Sequence, residues 1–422
     1  MKRTNRLRQA AVRVLLGAAL IGVVSPATAQ EDTPPPSRLS FSGFGTLGAV
    51  STTDDSVWFT RYGVNYPGDR DPDFSADSLI GLQSSLRLSP LSDITLQAIA
   101  MEDGDAKQDP RLTLAFFRQV LAPGLALRVG RVRVPFFMLS DSLYVNFANP
   151  WVRPPVEVYG LNPFNDLDGV DLIYTTELAG LDIEVHPYYG SAYVPFPKGN
   201  AELKATWGLN LMLARGNFSL HLGHGDGRFS LERGDEQFLA TAELLRLTGQ
   251  SQVVGDLSGN RGRTSFDSVG VQWDDGRWQF IGEYARRRAN RYVVSAHGWY
   301  LSLGRRIGAF TPYVTVGRQT LDEQFSQARF PAGLIVPLGN GQTTTARDFW
   351  ELFQTSRNNA QRSFTIGSRW DVGRHAAVKA EFTRARPDRD AWGSYFPRGN
   401  PLTTRIGGRT LDTFSVSVDV SF

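Results

Sequence analysis

Cysteine is absent from the 422-residue chain, so neither a disulfide framework nor thiol chemistry is open to it. Histidine is scarce, at five. No segment offers a nucleophile elbow or a two-histidine zinc helix, and nothing in the pattern argues for catalysis or a cofactor. Lysine is nearly missing: beyond the first few residues there are Lys107, Lys198, Lys204 and Lys379. Arginine is therefore the cation expected in confined places, where its planar fork pairs with carboxylates and stays protonated. Past the N-terminus there is no run of about 18 apolar residues, which excludes a membrane-spanning helix. The mean hydropathy of −0.24 does not exclude a membrane location, because strands crossing a bilayer place only alternate residues in lipid.

What is present begins with a basic stretch. Lys2, Arg3, Arg6, Arg8 and Arg13 precede an apolar run from Val14 to Val24, and Ala27-Thr-Ala29 follows with small residues. This is the pattern of a secretory signal peptide over residues 1–29, too short and wrongly flanked for a spanning helix. Its removal takes five basic residues away, leaving 40 basic against 42 acidic and a mature charge of −2. The pI of 9.1 thus describes the precursor, and no nucleic-acid partner follows from it.

After a short lead over 30–38, containing Thr33-Pro-Pro-Pro36, alternation of apolar and polar residues runs to the end. The last segment is the clearest. Phe414, Val416, Val418, Val420 and Phe422 alternate with Thr413, Ser415, Ser417, Asp419 and Ser421, which puts one set on each face of a strand. Its length suits one tilted bilayer crossing. Sixteen such segments are expected: 39–51, 78–88, 94–101, 111–121, 125–134, 168–176, 181–191, 205–214, 218–225, 266–273, 278–286, 296–305, 310–319, 363–371, 376–385 and 412–422. In 125–134 Leu127 and Val129 share a face with Arg131 and Arg133, which suggests a bulge.

The connections sort by length. Seven are tight, with turn residues such as Pro123-Gly124 and Asp274-Asp-Gly276, and they alternate with eight longer ones: 52–77, 102–110, 135–167, 192–204, 226–265, 287–295, 320–362 and 386–411. Long loops on one rim and short turns on the other describe an all-β, 16-stranded antiparallel transmembrane β-barrel, with long extracellular loops and short periplasmic turns, over residues 39–422. The signal, the strand count, the loop alternation and the terminal Phe422 together resemble the Gram-negative outer-membrane porins. Leu127-Arg-Val-Gly-Arg131 before the long connection 135–167 is the strongest local element of that resemblance. The resemblance implies a homotrimer of passive channels in outer-membrane lipid and lipopolysaccharide, passing small hydrophilic solutes. It also implies that 135–167 folds into the lumen as a constriction. The stretch Ala148 to Gly160 departs from the general porin pattern.

The loop 135–167 is rich in aromatic residues for a solvated loop, with Phe136, Phe137, Tyr144, Phe147, Trp151, Tyr159 and Phe164. It carries Asp141 and Glu157 against Arg153. On the wall, Arg87 and Arg369 share faces with polar residues, as do Glu283, Lys379 and Glu381. A charge facing mid-membrane lipid costs roughly 2–4 kcal/mol for Arg or Lys, so these faces are expected to point inward. Arg87, Arg131, Arg133 and Arg369 are then candidates for a cationic wall facing Asp141 or Glu157, an arrangement that filters ions. The competing reading is that the arginines pair with local carboxylates and hold strands together.

Weaker patterns complete the reading. Gly43-Phe-Gly-Thr-Leu-Gly48 has dinucleotide-fingerprint spacing but lies inside a strand with no following helix, so room for a loop or the lumen explains it better. Asp69, Asp71, Asp73 and Asp77 could offer oxygen ligands to Ca²⁺, although Phe74 stands where a calcium loop needs glycine. Glu102, Asp103, Asp105 and Asp109 crowd the next loop. His221, His224 and Asp226 could chelate a transition metal but differ in parity. Leu231 to Leu247 has helical spacing and reads as an external helix at the mouth. Besides the general channel, a channel specific for an anion or sugar, and a barrel serving as scaffold for an enzyme or receptor, remain consistent with the pattern.

Overall fold

The computed structural model describes residues 38–61, 71–102, 109–196, 198–234, 236–259, 262–324, 326–337 and 342–422. The signal at 1–29, the lead before residue 38, Asp69, Asp103, Asp105 and Lys107 lie outside the described residues. Sixteen antiparallel strands close into one barrel. They are β1 (Leu39–Thr52), β2 (Leu79–Ser89), β3 (Ser92–Met101), β4 (Pro110–Ala122), β5 (Leu125–Arg133) and β6 (Asp166–Leu178). Then come β7 (Leu181–Phe196), β8 (Gly199–Arg215), β9 (Phe218–Arg233), β10 (Gly262–Asp274) and β11 (Trp278–Ala289). The wall is completed by β12 (Ser295–Arg305), β13 (Phe310–Glu323), β14 (Gln361–Asp371), β15 (Ala376–Pro387) and β16 (Leu411–Ser421). Each expected segment corresponds to one of these, in order.

The final strand displays the principle of the wall. Phe414, Val416 and Val418 are 50%, 37% and 45% exposed, whereas Thr413, Ser415, Ser417 and Asp419 are 1%, 2%, 2% and 0% exposed. Apolar side chains face outward and polar ones inward, the inverse of a soluble protein and the arrangement that lipid demands. Ile80, Leu82, Leu96, Phe117, Leu209, Leu301, Ile366 and many others continue the outer apolar surface around the barrel. Closure comes from β1 pairing with β16 from Phe44–Ser421 to Thr52–Thr413, so every strand edge finds a partner. Beyond the ladder, Gly43 and Phe422 exchange both backbone hydrogen bonds, at 2.8 and 2.9 Å. The Phe422 ring lies over this first glycine of the Gly-rich run, in the space a Cβ at Gly43 would occupy.

Seven tight turns lie on one rim, as expected. On the opposite rim the connection expected at 192–204 is corrected: β7 and β8 run on as a tall hairpin to Phe196 and Gly199, with register shifts near Gly190–Ala192. The irregularity expected in 125–134 is confined to one edge: β5 pairs with β6 without interruption from Leu125–Tyr174 to Arg133–Asp166, while its ladder with β4 shifts register between Val120 and Ala122, opposite Ala126 and Leu125.

The other long connections carry structure of their own. The loop 134–165 holds a one-turn helix, α1 (Val156–Tyr159). The helix expected over 231–247 starts later, as α2 (Glu236–Leu247), because Leu231–Arg233 still belongs to β9; α3 (Ser251–Leu257) follows it. In the loop after β13, α4 (Ala346–Thr355) was not expected; Thr345 caps it by accepting from Asp348 N at 3.1 Å. Phe349, Trp350 and Phe353 form its buried face. A small ladder of Val57–Phe59 on Tyr395–Pro397 ties the first long loop to the last.

Candidate functional site

The loop 134–165 lies inside the barrel and crosses it, bound to most of the sixteen strands by hydrogen bonds or ring contacts. Its apolar side chains explain why it leaves solvent: Phe136, Phe137, Tyr144, Trp151, Val158, Tyr159, Leu161 and Phe164 are all buried in one cluster with wall residues. Phe136 packs edge-on to Tyr188 of β7 at 6.0 Å and against Phe266 of β10 at 5.0 Å. Trp151 meets Tyr300 of β12 edge-on at 5.5 Å and donates Nε1 to Ser302 and Thr315 at 3.1 and 3.0 Å.

Backbone groups of a loop buried in a lumen need partners, and the wall provides them. Glu283 of β11 accepts from Met138 N at 2.8 Å and from the Tyr159 hydroxyl at 2.8 Å. Glu381 of β15 accepts from Val152 N at 2.9 Å. Lys379, fully buried beside Asp419 at 2.9 Å, donates Nζ to the carbonyls of Asn146 and Trp151 at 2.6 and 2.7 Å. Asn146 reaches Thr46 of β1 at 3.1 Å, Ser268 of β10 donates to the Phe136 carbonyl at 2.7 Å, and Asn210 of β8 donates to the Pro135 carbonyl. Glycines leave the space: a Cβ at Gly298 would overlap the Glu157 carbonyl, and one at Gly317 would sit 3.0 Å from Glu157 Oε2.

The candidate pore residues separate under this geometry. Arg369 points inward, bonded to Asp371 at 2.7 Å and to the loop carbonyls of Phe147 and Asn149, the latter at 3.1 Å. Arg153 and Glu157 do not face each other across an opening. Arg153 is buried in an ion pair with Asp77, with Nη2 also donating to Ser415 at 2.9 Å, and Glu157 is buried against the wall, accepting from Gln361 at 2.9 Å. Arg133 is buried at the loop's root, paired with Asp166 and lying 4.7 Å over the Tyr144 ring. Arg131 shares the outward face of Leu127 and Val129 and pairs with Asp168 at 2.7 Å, both partly exposed. Arg87 is exposed near the short-turn rim, on the inward face with Gln83 and Ser85. Asp141 is exposed on the loop, near enough to Arg128 on the wall for their charges to interact. A single wall of Arg87, Arg131, Arg133 and Arg369 facing Asp141 or Glu157 is therefore not what these positions form.

The acidic candidates find separate partners too. Asp71 pairs with Arg398 at 2.8 Å, Asp73 accepts from Ser75 N and Oγ at 2.8 and 2.7 Å, and Asp77 belongs to Arg153. His221 contacts Asn210 and Ser268, His224 contacts Asp267, and Asp226 contacts Arg263. Among the described residues no group of three or more His, Asp or Glu is placed to hold a metal. Glu283, Lys379 and Glu381, which the pattern did not rank as pore residues, hold the loop together with Asp77, which it offered only as a Ca²⁺ ligand. For three of them the inward parity was already readable.

The barrel as a whole has counterparts among solved structures. An anion-selective porin from Comamonas acidovorans aligns over 91% of this chain and 99% of its own, with a TM-score of 0.53 and 10% identity. OmpF of Salmonella typhi, solved with daunomycin, aligns over 91% and 97%, with a TM-score of 0.51 and 11% identity. The outer membrane channel DcaP of Acinetobacter baumannii aligns over 91% and 97%, with a TM-score of 0.51 and 9% identity. The fold is that of the outer-membrane porins. At these identities the likeness is one of fold, and no protein-family model and no curated protein matches the chain. The porin-fold barrel thus supplies a wall and an internal loop, and the chemistry must be read from this chain's own residues.

Proposed function

We propose that the protein is an outer-membrane porin, a passive channel for small hydrophilic solutes and ions through a lumen narrowed by the loop 134–165. The single observation that carries the reading is that loop, bound on all sides inside a closed barrel whose outer face is apolar. A barrel that served only as a scaffold would have no need of a buried strut of this kind. The domain plan follows: a cleaved signal at 1–29, a lead over 30–38, and a barrel body from 39 to 422 that assembles in outer-membrane lipid and lipopolysaccharide as a homotrimer. Charge reaching the lumen from Arg87, Asp141 and Arg369 sets the ion preference, because opposed charges in a confined aqueous path bias which ion enters.

Purified full-length protein in a planar lipid bilayer tests the reading. Stepwise, ohmic conductance in KCl is expected, with a reversal potential under a salt gradient that shifts in Arg87→Ala and Asp141→Asn. A bilayer that stays silent at protein levels giving clear insertion would refute the channel, and cross-linking that yields only monomers would refute the trimer.

A further inference from the structure

The long-loop side of the barrel contains a cavity of about 650 Å³ that the loop 134–165 floors with Gly160, Leu161, Pro163 and Phe164. The tops of β7 to β11 form its side, and residues 352–359 and 392–401 lean over it. Its size falls within the range of small-molecule sites, roughly 300–1,000 Å³. Aromatic rings make up much of the lining. Phe229 of β9 stacks on Tyr292 at 6.0 Å and 11° and meets Phe164 edge-on at 6.5 Å. Phe266, Phe353 and Trp392 join them around the cavity.

The cations of the lining are engaged with the lining itself. Arg287 donates Nε to the Val294 carbonyl at 3.0 Å and Nη1 to the Leu161 carbonyl. Arg233 donates to the Tyr292 hydroxyl at 3.2 Å and lies over the Phe238 ring. Arg357 donates to the same hydroxyl and lies 4.3 Å over the Tyr292 ring and 4.2 Å over Phe353. These guanidiniums brace rings and loop carbonyls, and what they frame is an apolar, aromatic surface. Thr264 of β10 adds a polar group of another kind. It lines the cavity on the inward face of its strand with Phe266, and its buried hydroxyl has no hydrogen-bond partner among the described residues. A buried hydroxyl left without a partner is unfavourable until a partner reaches it.

We infer that this cavity binds a small uncharged aromatic alcohol, its ring among the Phe164, Phe229 and Phe266 side chains and its hydroxyl on that of Thr264. An aromatic body gains from apolar burial and from ring–ring contacts, and one hydroxyl supplies the partner that Thr264 lacks. An aliphatic alcohol of the same size would forgo the ring–ring contacts. A sugar would have to strip several hydroxyls of water among rings that give little in return. A carboxylate would shed its water toward guanidiniums already bonded within the lining. The site rests on the channel reading in that it places the bound solute on the outer approach to the narrowed lumen.

The test uses full-length protein in detergent micelles, titrated calorimetrically against protein-free micelles with 1-naphthalenemethanol, with its saturated decalin counterpart, and with 1-naphthoate. Saturable binding of the aromatic alcohol is expected, with the decalin alcohol weaker by about tenfold and naphthoate no tighter. Phe229→Ala should weaken the aromatic alcohol by about tenfold, and Thr264→Val by about fivefold, while Thr264→Ser should hold it within about twofold. Thr264→Val keeps the side-chain shape and removes only an unpartnered hydroxyl, so it carries the test if Phe229→Ala fails to fold. Equal binding of the two alcohols, tighter binding of naphthoate, unchanged affinity in Thr264→Val, or no saturable binding would overturn the site. If the same preparation conducts in bilayers when binding fails, the channel stands and the site falls; a preparation that binds the aromatic alcohol but never conducts reverses that outcome.

Discussion

Replacing Lys379 with methionine should release the internal loop, and the structure sets the size of the effect. The ammonium is fully buried and serves three acceptors: Asp419 at 2.9 Å and the loop carbonyls of Asn146 and Trp151 at 2.6 and 2.7 Å. Methionine fills most of the volume but donates nothing. It leaves a fully buried carboxylate unpaired and strands two loop carbonyls away from water. Breaking a buried pair by removing one partner costs about 3–5 kcal/mol. The lower end applies here, because Thr46 Oγ1 at 2.7 Å and Ser417 Oγ at 3.2 Å still donate to Asp419. About 3 kcal/mol corresponds to more than a hundredfold in the folding equilibrium. Urea unfolding in micelles, followed by tryptophan fluorescence, would register the loss. Single-channel traces should become noisier as the segment around Asn146–Trp151 detaches. Removing both charges, as Lys379→Met with Asp419→Leu, should restore a good part of the stability, since the uncompensated charge dominates the cost. A single variant within about 1 kcal/mol of the parent, with unchanged conductance, would refute the view that this ammonium pins the loop.

Three further expectations follow from other places in the barrel. Gly298→Val places a Cβ into the Glu157 carbonyl, so the loop must lift; a cost of about 1–3 kcal/mol and altered conductance are expected. Gly304→Val, whose Cβ would make an ordinary 3.5 Å contact with Thr311, should do neither. Arg131→Leu should leave the reversal potential untouched, because its pair with Asp168 lies on the outer face; a shift in selectivity would place that guanidinium in the lumen. The clamp between the first and last loops should weaken in acid. Burial raises the Asp54 carboxyl, but hydrogen bonds from Ser56 and the charge of Arg409 outweigh it and hold the group below its ordinary value. Its contribution is therefore complete above the unfolded value of about 3.9 and is lost as pH falls through the lower folded one. Hydrogen exchange of the Val57–Phe59 amides should accelerate across that window, and a flat profile would remove Asp54 from the clamp.

The wall was legible from the chain because lipid on one side and a polar interior on the other impose a period of two, and β16 obeys it from Thr413 to Val420. Pattern was lost where lipid ends. Above the bilayer both faces of a strand meet water or loops, so β7 and β8 continued to Phe196 and Gly199 without the alternation that would have revealed them. The site was legible by parity and illegible by partner. Glu283, Lys379 and Glu381 could be assigned inward, but the loop groups they hold lie far along the chain. Arg153 and Glu157 looked like free pore charges because Asp77 and Gln361, which occupy them, are separated from them by 76 and 204 positions. Arg131 carried its own warning, since it shared a face with Leu127 and Val129. The helix α4 also had a readable signal in Thr345 followed by Phe349, Trp350 and Phe353.

The path of the internal loop has a consequence for the join between first and last strands. That join is the contact with the greatest separation along the chain, and bringing its two sides together carries a large loop-closure entropy. From within the lumen, Asn146 binds Thr46 on β1 while its carbonyl is held by Lys379 on β15, and Arg153 binds Ser415 on β16. A segment from the middle of the chain is therefore sutured across the seam. These stitches can form only once both edges have met, so docking of residues 146–153 is a marker of the sealed barrel. Loosening them should let the seam breathe before any other strand pair does.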